Sequence, residues 1–415
     1  MLASFKNVFT LYTKTSLIIR IIIGLIVGVV LGLSAPKLTS VYVLGDLFVG
    51  ALKAIAPVLV FFLVSSSLMQ GRESLGGKFR LVIFLYIVGT LCAAAVGVLG
   101  SFLFPATLTF ADAQTGSSVP TNIGEVLKNI IMGMIANPIV SISEGKYLGI
   151  LFWSALLGIA LKGIAGDTTK KALQDLSAGV SEIVKWIIEF APFGILGLVY
   201  NNISTNGISI FKDYAGIIAL LVGCMMFVAL VINPLIVFIF LRKNPFPLVF
   251  KCLKESGVTA FFTRSSAANI PVNMELCQRL KLDKEVYSVS VPLGATINMS
   301  GAAVTISVFA LAAAHTLNLS VDIPSAILLS MMSAVAACGA SGVAGGSLLL
   351  IPMACSLFGI DQNIAMQVVG VGFIVGVIQD SLETAINSSS DALFAATAEY
   401  SQWKKEGKQL PKDIF

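Results

Sequence analysis

The chain has 415 residues, of which 56% are hydrophobic and 12% are charged, and its mean hydropathy is +0.92. Soluble domains carry about 25% charged residues, so the composition favours lipid as the solvent over a soluble multidomain protein. The net charge of +5 comes from Lys and Arg in short loops, which argues against a nucleic-acid partner. One His and six Cys, none of them in a CxxC pair, offer almost nothing for a zinc site or a Cys/His catalytic pair.

Apolar runs of the length that crosses a bilayer, about 20 residues, recur along the chain. They lie at about 16–35, 41–70, 81–104, 147–161, 180–200, 214–241, 285–314 and 365–388, with 126–140 as an extension of the fourth. Backbone groups in hydrocarbon must be hydrogen-bonded within the protein, and no run alternates as a porin strand does. The runs therefore predict an all-α integral membrane protein with eight transmembrane helices.

Two further segments, 255–278 and 324–356, are apolar at both ends and broken in the middle by small and polar residues. Lys and Arg concentrate in cytoplasmic loops, and the loop at 279–284 is basic. That loop would lie outside if 255–278 crossed the membrane fully, so we expect this segment to turn back as a re-entrant hairpin. The same alternation predicts that 324–356 enters from the opposite side, that both termini are cytoplasmic, and that 396–415 is a solvated tail. Paired interruptions of this kind are typical of the binding site of an inverted-repeat transporter.

The last span carries a polar face. Spacings of three, one, three and four residues place these side chains along one side of a helix: Asp380, Glu383, Thr384, Asn387 and Asp391. A carboxylate at the bilayer centre costs at least about 2.5–3.5 kcal/mol, so three of them predict compensation by cations, amines or water. The alternative, a helix that lies outside the membrane, is disfavoured by the apolar residues 365–379 that precede the face.

The span at 291–303 is predicted to break. It contains Pro292, Gly294, Asn298 and Gly301 in otherwise apolar surroundings. Pro removes a backbone donor and Gly lets the chain unwind, and unwound backbone presents carbonyl oxygens of the kind that hard cations such as sodium prefer. The alternative is a kinked helix whose small residues serve packing alone.

The middles of the two interrupted segments offer different chemistry. Residues 263–271 contain the start of a half-helix, whose free amides carry a partial positive charge and bind carboxylates. Residues 339–346 are rich in glycine and offer bare backbone and flexibility for a gate. Either one, taken alone, is also compatible with a tight contact between helices through small residues.

Four motifs in order make the chain resemble the dicarboxylate/amino acid:cation symporter family along its whole length. They are TRSS, PLGATINM, a glycine-rich GVxG and DxxxTxxNxxxD. The resemblance implies one polytopic membrane domain, 1–415, that assembles as a homotrimer in the bacterial inner membrane. It also implies transport without covalent chemistry, so we expect no enzyme activity.

The resemblance further implies two functional parts. A static scaffold would comprise 16–70 and 126–203. A mobile transport part would comprise 80–104 and 214–395, including both hairpins, and would move across the membrane like an elevator. The hairpin at 324–356 would act as the gate.

The substrate site follows from the same resemblance. Asp380 would bind the substrate ammonium, and Thr384 and Asn387 would also contact the substrate. The hairpin tips would complete the site through Arg264, Ser265, Ser266, Gly342 and Val343.

Two sodium sites are also implied, and no organic cofactor. The first would consist of Asp391 with the carbonyl oxygens of Gly294, Asn298 and Asn387. The second would consist of Thr296, Met299 and the backbone of Ala337, Cys338 and Ala340.

Glu383 departs from the family pattern. Members that carry acidic amino acids have at this position an arginine, which pairs with the side-chain carboxylate of the substrate. A carboxylate facing a carboxylate in a partly desolvated pocket is repulsive, so aspartate and glutamate should be rejected. Glu383 could instead accept a hydrogen bond from a substrate hydroxyl, which favours L-serine and L-threonine over alanine. Together with the sodium coupling that the resemblance implies, this predicts sodium-coupled uptake of L-serine and L-threonine.

Several alternatives remain open on the sequence alone. The coupling ion could be a proton taken up by Glu383, or the substrate range could include other neutral amino acids, acidic amino acids or dicarboxylates. A passive channel and an intramembrane enzyme are rivals from other classes. The enzyme would need a nucleophile and base or a metal cluster, which the sequence does not suggest.

Ser300 and Gly89 are a second departure. Acidic-substrate members have an aspartate at the first position that helps to bind a third sodium. Tyr86 and Thr90 match two other contributors, whereas Gly89 does not. We therefore expect a third site that is weak or absent, with fewer than three sodium ions coupled to each substrate.

Overall fold

The computed structural model describes residues 15–69, 77–108, 131–207, 210–340 and 345–411. Helices account for nearly all of these residues, and no strand occurs among them. Gly342 and Val343, two of the expected substrate contacts, lie outside the described residues.

The described residues contain the following helices in chain order. The first nine are α1 (Leu17–Ser34), α2 (Tyr42–Met69), α3 (Gly77–Leu103), α4 (Pro138–Glu144), α5 (Tyr147–Ile164), α6 (Asp167–Glu189), α7 (Ala191–Asn206), α8 (Ile210–Phe227) and α9 (Asn233–Leu241). The remainder are α10 (Phe246–Cys252), α11 (Val258–Thr263), α12 (Ile270–Arg279), α13 (Lys284–Ile297), α14 (Ser300–Thr316), α15 (Ile323–Ala337), α16 (Ile351–Ser356) and α17 (Gln362–Lys405). Single π-helical turns join α8 to α9 and α10 to α11, and a 3-10 turn, Ser347–Leu350, precedes α16.

Helices of membrane-spanning length and hydropathy are present throughout the described part of the chain. They are Tyr42–Ser66, Gly77–Leu103, Tyr214–Leu241, Lys284–Thr316 and Gln362–Lys405. Four shorter apolar helices of 10–17 residues accompany them, and the bent pair α6–α7 could supply one further span. The protein is therefore membrane-embedded, while the count of eight spans stays a prediction.

The run at 180–200, predicted as one helix, is divided between α6 and α7. The chain bends by 54° between α6 and α7, at Phe190. Charged residues recur along α6 and only part of it is buried, so it is an amphipathic helix. Pro192 lies in the first turn of α7, where its missing N–H costs nothing and its ring favours a new helix start. The apolar residues of α6 continue the hydropathy of α7, so hydropathy alone predicted one continuous span.

The N-terminal helices pack tightly through glycine. Gly24, Gly28 and Gly32 follow at intervals of four residues along α1 and face α7. A Cβ at Gly24 would collide with the carbonyl oxygen of Pro192, and one at Gly28 would lie 2.7 Å from that of Leu196. Backbone contact of this kind is how helices associate where water provides no hydrophobic drive. Helix α2 packs against α5, α6 and α7 and completes this group.

Helices α14 and α17 form the centre of the C-terminal part. Every residue from Ser300 to Ala314 is buried, and α17 is buried along most of its length as far as Ser401. The expected solvated tail is thus wrong for residues 396–401. The hydroxyl of Tyr400 donates to the carbonyl of Leu280 at 2.9 Å, and these contacts hold the end of α17 in the protein.

The segment predicted as the first hairpin turns back on itself. Helix α11 ends at Arg264, whose φ of 52° reverses the chain, and α12 runs from Ile270 to Arg279. At the base, the guanidinium of Arg279 lies 2.7 Å from the carboxylate of Glu255. The two arms therefore start and finish at the same level.

The second hairpin approaches α17 from the other end. Its arms, α15 and the segment Ser347–Ser356, pack on each other and lead into the start of α17. The base of the first hairpin, at Leu280, lies instead beside Tyr400 near the end of α17. At 1.5 Å per residue these two ends of α17 are about 55 Å apart. Arg264 of the first segment and Gly345 of the second both contact Asp380, between the two ends, so the two segments reach Asp380 from opposite ends of α17.

Candidate functional site

The helix break is located at Asn298 and Met299. Both residues leave the helical region, with φ/ψ of −94°/78° and −118°/53°, between α13 and α14. The predicted break is therefore present, although Pro292 and Gly294 remain helical. The carbonyl of Gly294 accepts the amide of Asn298 at 2.9 Å and keeps one lone pair for a further partner.

Asp391 lies against this break with one oxygen unpartnered. Its Oδ1 accepts a hydrogen bond of 2.9 Å from Asn298 Nδ2, whereas its Oδ2 is buried and has no partner among the described residues. Asn298 Oδ1 is likewise buried without a described partner. Buried acceptors of this kind cost free energy unless a donor or cation satisfies them.

Two of the other expected ligands of the first sodium, Gly294 and Asn387, lie next to Asp391 or Asn298. A Cβ at Gly294 would be 2.5 Å from Asp391 Oδ1, so glycine allows the carboxylate to approach the backbone. The carbonyl of Asn387 lies 3.2 Å from Asn298 Nδ2. All of these candidate ligand atoms are oxygens, which hard cations prefer. The donor set fits sodium.

Only some of the ligands expected for the second sodium site make contacts near the helix break. Cys338 Sγ lies 3.3 Å from the carbonyl of Ile297, which places the end of α15 beside the break. Met299 Sδ accepts a hydrogen bond of 3.3 Å from the side-chain Nδ2 of Asn387. Thr296 Oγ1 donates to its own helix at Leu293 and is exposed. Ala337 and Ala340 are both buried, and the amide of Ala340 donates to the carbonyl of Ala337 at 2.9 Å.

Asp380 joins the two hairpin tips. Its Oδ2 lies 2.6 Å from Arg264 Nε on the first hairpin, and its Oδ1 accepts the amide of Gly345 on the second at 3.1 Å. The side chains of Arg264 and Asp380 are 9% and 3% exposed. The free space beside this pair is about 10 Å³, roughly what one ordered water needs. The carboxylate expected to bind a substrate ammonium is thus paired within the chain.

Three other expected substrate contacts in the described residues, Thr384, Asn387 and Ser265, make hydrogen bonds within the chain. Thr384 Oγ1 donates to the carbonyl of Asp380 one turn earlier, at 2.8 Å. Asn387 Oδ1 accepts the amide of Gly301 at 2.7 Å and so caps the start of α14. Ser265 Oγ accepts the amide of Ala268 at 3.2 Å within the tip of the first hairpin, and Ser266 is buried beside it.

Glu383 is bound by three side chains that the sequence analysis did not identify. Its Oε2 accepts hydrogen bonds from Thr305 Oγ1 at 2.7 Å, from Ser347 Oγ at 2.8 Å and from Gln379 Nε2. Gln379 precedes Glu383 by one turn, which is the only one of these contacts that spacing could have suggested. Glu383 is 5% exposed. A Cβ at Gly301 would be 2.7 Å from Glu383 Cα, so glycine brings α14 close enough for these contacts.

The charge of the site is negative. Three carboxylates, those of Asp380, Glu383 and Asp391, are buried along α17, and Arg264 is the one cation that pairs with them in the described part of the chain. Buried charge must be compensated by partners. The arrangement therefore favours the binding of further cations, either metal ions or amines.

The space beside Gly89, one of the positions considered for a third sodium site, is filled by an aromatic ring. A Cβ at Gly89 would lie 2.8 Å from the ring of Phe394, so the ring occupies the space of the missing side chain. Thr90 Oγ1 and Ser300 Oγ are buried nearby without described partners, and neither carries charge. The Tyr86 hydroxyl is hydrogen-bonded to the backbone of Ser290 and Asp391.

Known proteins of similar sequence identify the family of this chain. Residues 17–401 match the family described as "Sodium:dicarboxylate symporter family". A protein named serine/threonine transporter SstT from Bifidobacterium adolescentis is 57% identical over 410 residues, which cover 99% of this chain and 95% of that protein. Proteins of the same name from Streptococcus thermophilus and Streptococcus agalactiae are each 55% identical and are covered completely, over 96% and 97% of this chain. The chain therefore belongs to the sodium:dicarboxylate symporter family.

Proposed function

We propose that this protein is a sodium-coupled symporter that takes up L-serine and L-threonine. The observation that carries the proposal is the meeting of both hairpin tips at Asp380, on a buried acidic face that also holds Glu383 and Asp391. The names of relatives at 55–57% identity over nearly the full length support the choice of substrate. No covalent chemistry is required.

The substrate ammonium binds to Asp380. It competes there with the guanidinium of Arg264, and the released guanidinium then pairs with the substrate carboxylate. This exchange keeps both buried charges compensated when substrate enters. The tip at Ser265 and Ser266, the backbone at Gly342 and Val343, and the side chains of Thr384 and Asn387 complete the contacts.

Glu383 selects for a hydroxyl group on the substrate. The Glu383 carboxylate repels the side-chain carboxylates of aspartate and glutamate, whereas an arginine at this position would attract them. A site built to hydrogen-bond a hydroxyl also discriminates against alanine, because the acceptor would then remain unpaired.

Sodium ions are carried together with the substrate. Asp391, with the carbonyls of Gly294, Asn298 and Asn387, forms the first site, and its unpartnered Oδ2 supports this assignment. Thr296, Met299 and the backbone of Ala337, Cys338 and Ala340 form the second, and the contact between Cys338 and Ile297 supports its location. The membrane potential contributes about 2.3 kcal/mol per 100 mV for each net positive charge that enters.

Transport proceeds by an elevator movement. The scaffold consists of 16–70 and 126–203, and the transport part consists of 80–104 and 214–395. The hairpins are re-entrant from opposite faces, and 324–356 is the gate. The opposed directions of the hairpins along α17 support this architecture. Side-chain contacts between the two parts include the edge-on pair of Phe48 with Phe373.

The membrane arrangement completes the proposal. The chain has eight transmembrane helices, lies in the bacterial inner membrane with both termini cytoplasmic, and assembles as a homotrimer. The basic loops of the sequence support the orientation.

The experiment that tests the function is serine uptake by the purified protein in liposomes. An inward sodium gradient is compared with a potassium gradient of equal ionic strength and with an inward proton gradient. We expect accumulation of radiolabelled serine above the external concentration with sodium alone. Accumulation driven by protons without sodium would favour the proton symporter, and equilibration without accumulation would favour a passive channel.

Competition in the same liposomes tests the substrate assignment. Excess unlabelled threonine should block serine uptake, whereas aspartate should not. Strong inhibition by aspartate would overturn the role given to Glu383, and inhibition by alanine equal to that by threonine would indicate a broader carrier of neutral amino acids.

A further inference from the structure

Glu383 is held by one of its two carboxylate oxygens. Oε2 accepts hydrogen bonds from three elements of the fold: Thr305 of α14, Ser347 of the 3-10 turn and Gln379 of α17. Gln379 Nε2 also donates to Thr305 Oγ1 at 2.9 Å, so two of the three donors are joined to each other. The three donors are at most 1% exposed. Water therefore cannot replace them freely.

The second oxygen is left free by the described residues. Glu383 Oε1 accepts no hydrogen bond from them, although the side chain as a whole is 5% exposed. A carboxylate fixed through one oxygen in this way can turn only slightly, because rotation would break three hydrogen bonds. The geometry thus supplies one immobilised acceptor with its other oxygen available to a donor.

We propose that Ser347, Thr305 and Gln379 are positioning residues, which fix Glu383 so that its Oε1 accepts the hydroxyl of serine or threonine. The inference rests on the proposed function, because it assumes that Glu383 meets the substrate side chain. A preorganised acceptor gains more from a substrate hydroxyl than a mobile one, since no side chain has to be ordered on binding.

Through Ser347, the selection for a substrate hydroxyl depends on the position of the second hairpin. Gly345, two residues before it, donates its amide to Asp380, so one short stretch of the hairpin contacts both the ammonium-binding and the hydroxyl-binding carboxylate. A displacement of the hairpin removes both contacts together. Hydroxyl recognition therefore depends on the position of Gly345 and Ser347 in the second hairpin.

The test compares amino acids with and without a hydroxyl. Serine and threonine are paired with alanine and 2-aminobutyrate, and each competes for sodium-driven serine uptake in liposomes. In Ser347→Ala we expect the inhibition constants of serine and threonine to rise about tenfold, while those of alanine and 2-aminobutyrate change less than about twofold. Ser333→Ala is the matched control, because its hydroxyl lies buried on α15 without a partner among the described residues.

Two variants of Thr305 test the same inference independently of Ser347→Ala. Thr305→Val keeps the shape of the side chain without the hydroxyl and should show the same selective loss, whereas Thr305→Ser should retain wild-type selectivity. Equal changes for all four amino acids, or no change in any, would overturn the inference. Failure of the wild-type protein to accumulate serine would instead refute the proposed function.

Discussion

Arg264 Nε and Asp380 Oδ2 lie 2.6 Å apart where the two hairpins meet, and both side chains are less than one-tenth exposed. The pair joins residues separated by 116 positions in the chain. Each charge is the main compensation of the other, since the described part of the site holds no other basic side chain. Loss of either partner leaves an uncompensated buried charge, whereas loss of both does not.

Asp380→Asn should therefore destabilise the protein strongly. Removing one partner of a buried ion pair costs about 3–5 kcal/mol, and the double variant Arg264→Gln, Asp380→Asn should recover most of that loss. Neither variant should transport serine, because the ammonium has lost its carboxylate. Thermal unfolding in detergent and uptake in liposomes measure the two effects.

The exposed ion pair of Lys171 and Asp175 provides the control for the variants of Arg264 and Asp380. Its side chains are 70% and 61% exposed at a separation of 2.7 Å. Asp175→Asn should change stability by less than about 1 kcal/mol, as is usual for surface ion pairs. A double variant at Arg264 and Asp380 no more stable than Asp380→Asn would contradict the predicted compensation.

Asp391→Asn should weaken sodium binding. The substitution removes the negative charge while leaving an amide that can still contact Asn298. We expect the sodium concentration for half-maximal serine uptake to rise at least about tenfold, which corresponds to about 1.4 kcal/mol. Ser389→Ala, two residues earlier on α17 with its hydroxyl bonded to the backbone of Ile386, should leave the sodium dependence unchanged. An unchanged sodium requirement in Asp391→Asn would show that this carboxylate does not bind the coupling ion.

Fewer than three sodium ions should accompany each substrate. The ring of Phe394 fills the space beside Gly89, and the uncharged Ser300 and Thr90 offer no charge compensation for a third cation. The reversal potential of serine flux, measured in liposomes at several sodium gradients, gives the coupling ratio. A measured ratio of three would refute this reading of Phe394 and Ser300.

The parts of the site that follow from local spacing were predictable from the sequence. The polar face of α17 depends on helical periodicity alone, and the break near Asn298 depends on Gly and Pro in an apolar span. The reversal of the chain at Arg264 was expected from the sign of a loop charge. Each of these signals lies within one segment or in its immediate neighbours.

Features that depend on tertiary contact were not predictable. The hydrogen bond of Glu383 with Thr305 spans 78 positions and could not be inferred from either segment. The burial of residues 396–401 depends on contacts with distant partners, such as Glu399 with Lys78 at 2.8 Å. The bend at Phe190 was missed because the apolar face of an amphipathic helix continues the hydropathy of the span that follows it.

Gly28→Ala and Gly179→Ala should change stability in opposite directions. A Cβ at Gly28 would lie 2.7 Å from the carbonyl oxygen of Leu196 and 3.1 Å from Val199 Cβ, so α1 and α7 would have to separate. Overpacking of this kind costs about 1–3 kcal/mol. A Cβ at Gly179, in the middle of α6, meets nothing within 4 Å, so alanine there should stabilise by about 0.5–1 kcal/mol through helix propensity. Thermal unfolding of both variants in the same detergent measures the difference, and a shift of the same sign in both would contradict the close approach of α1 to α7.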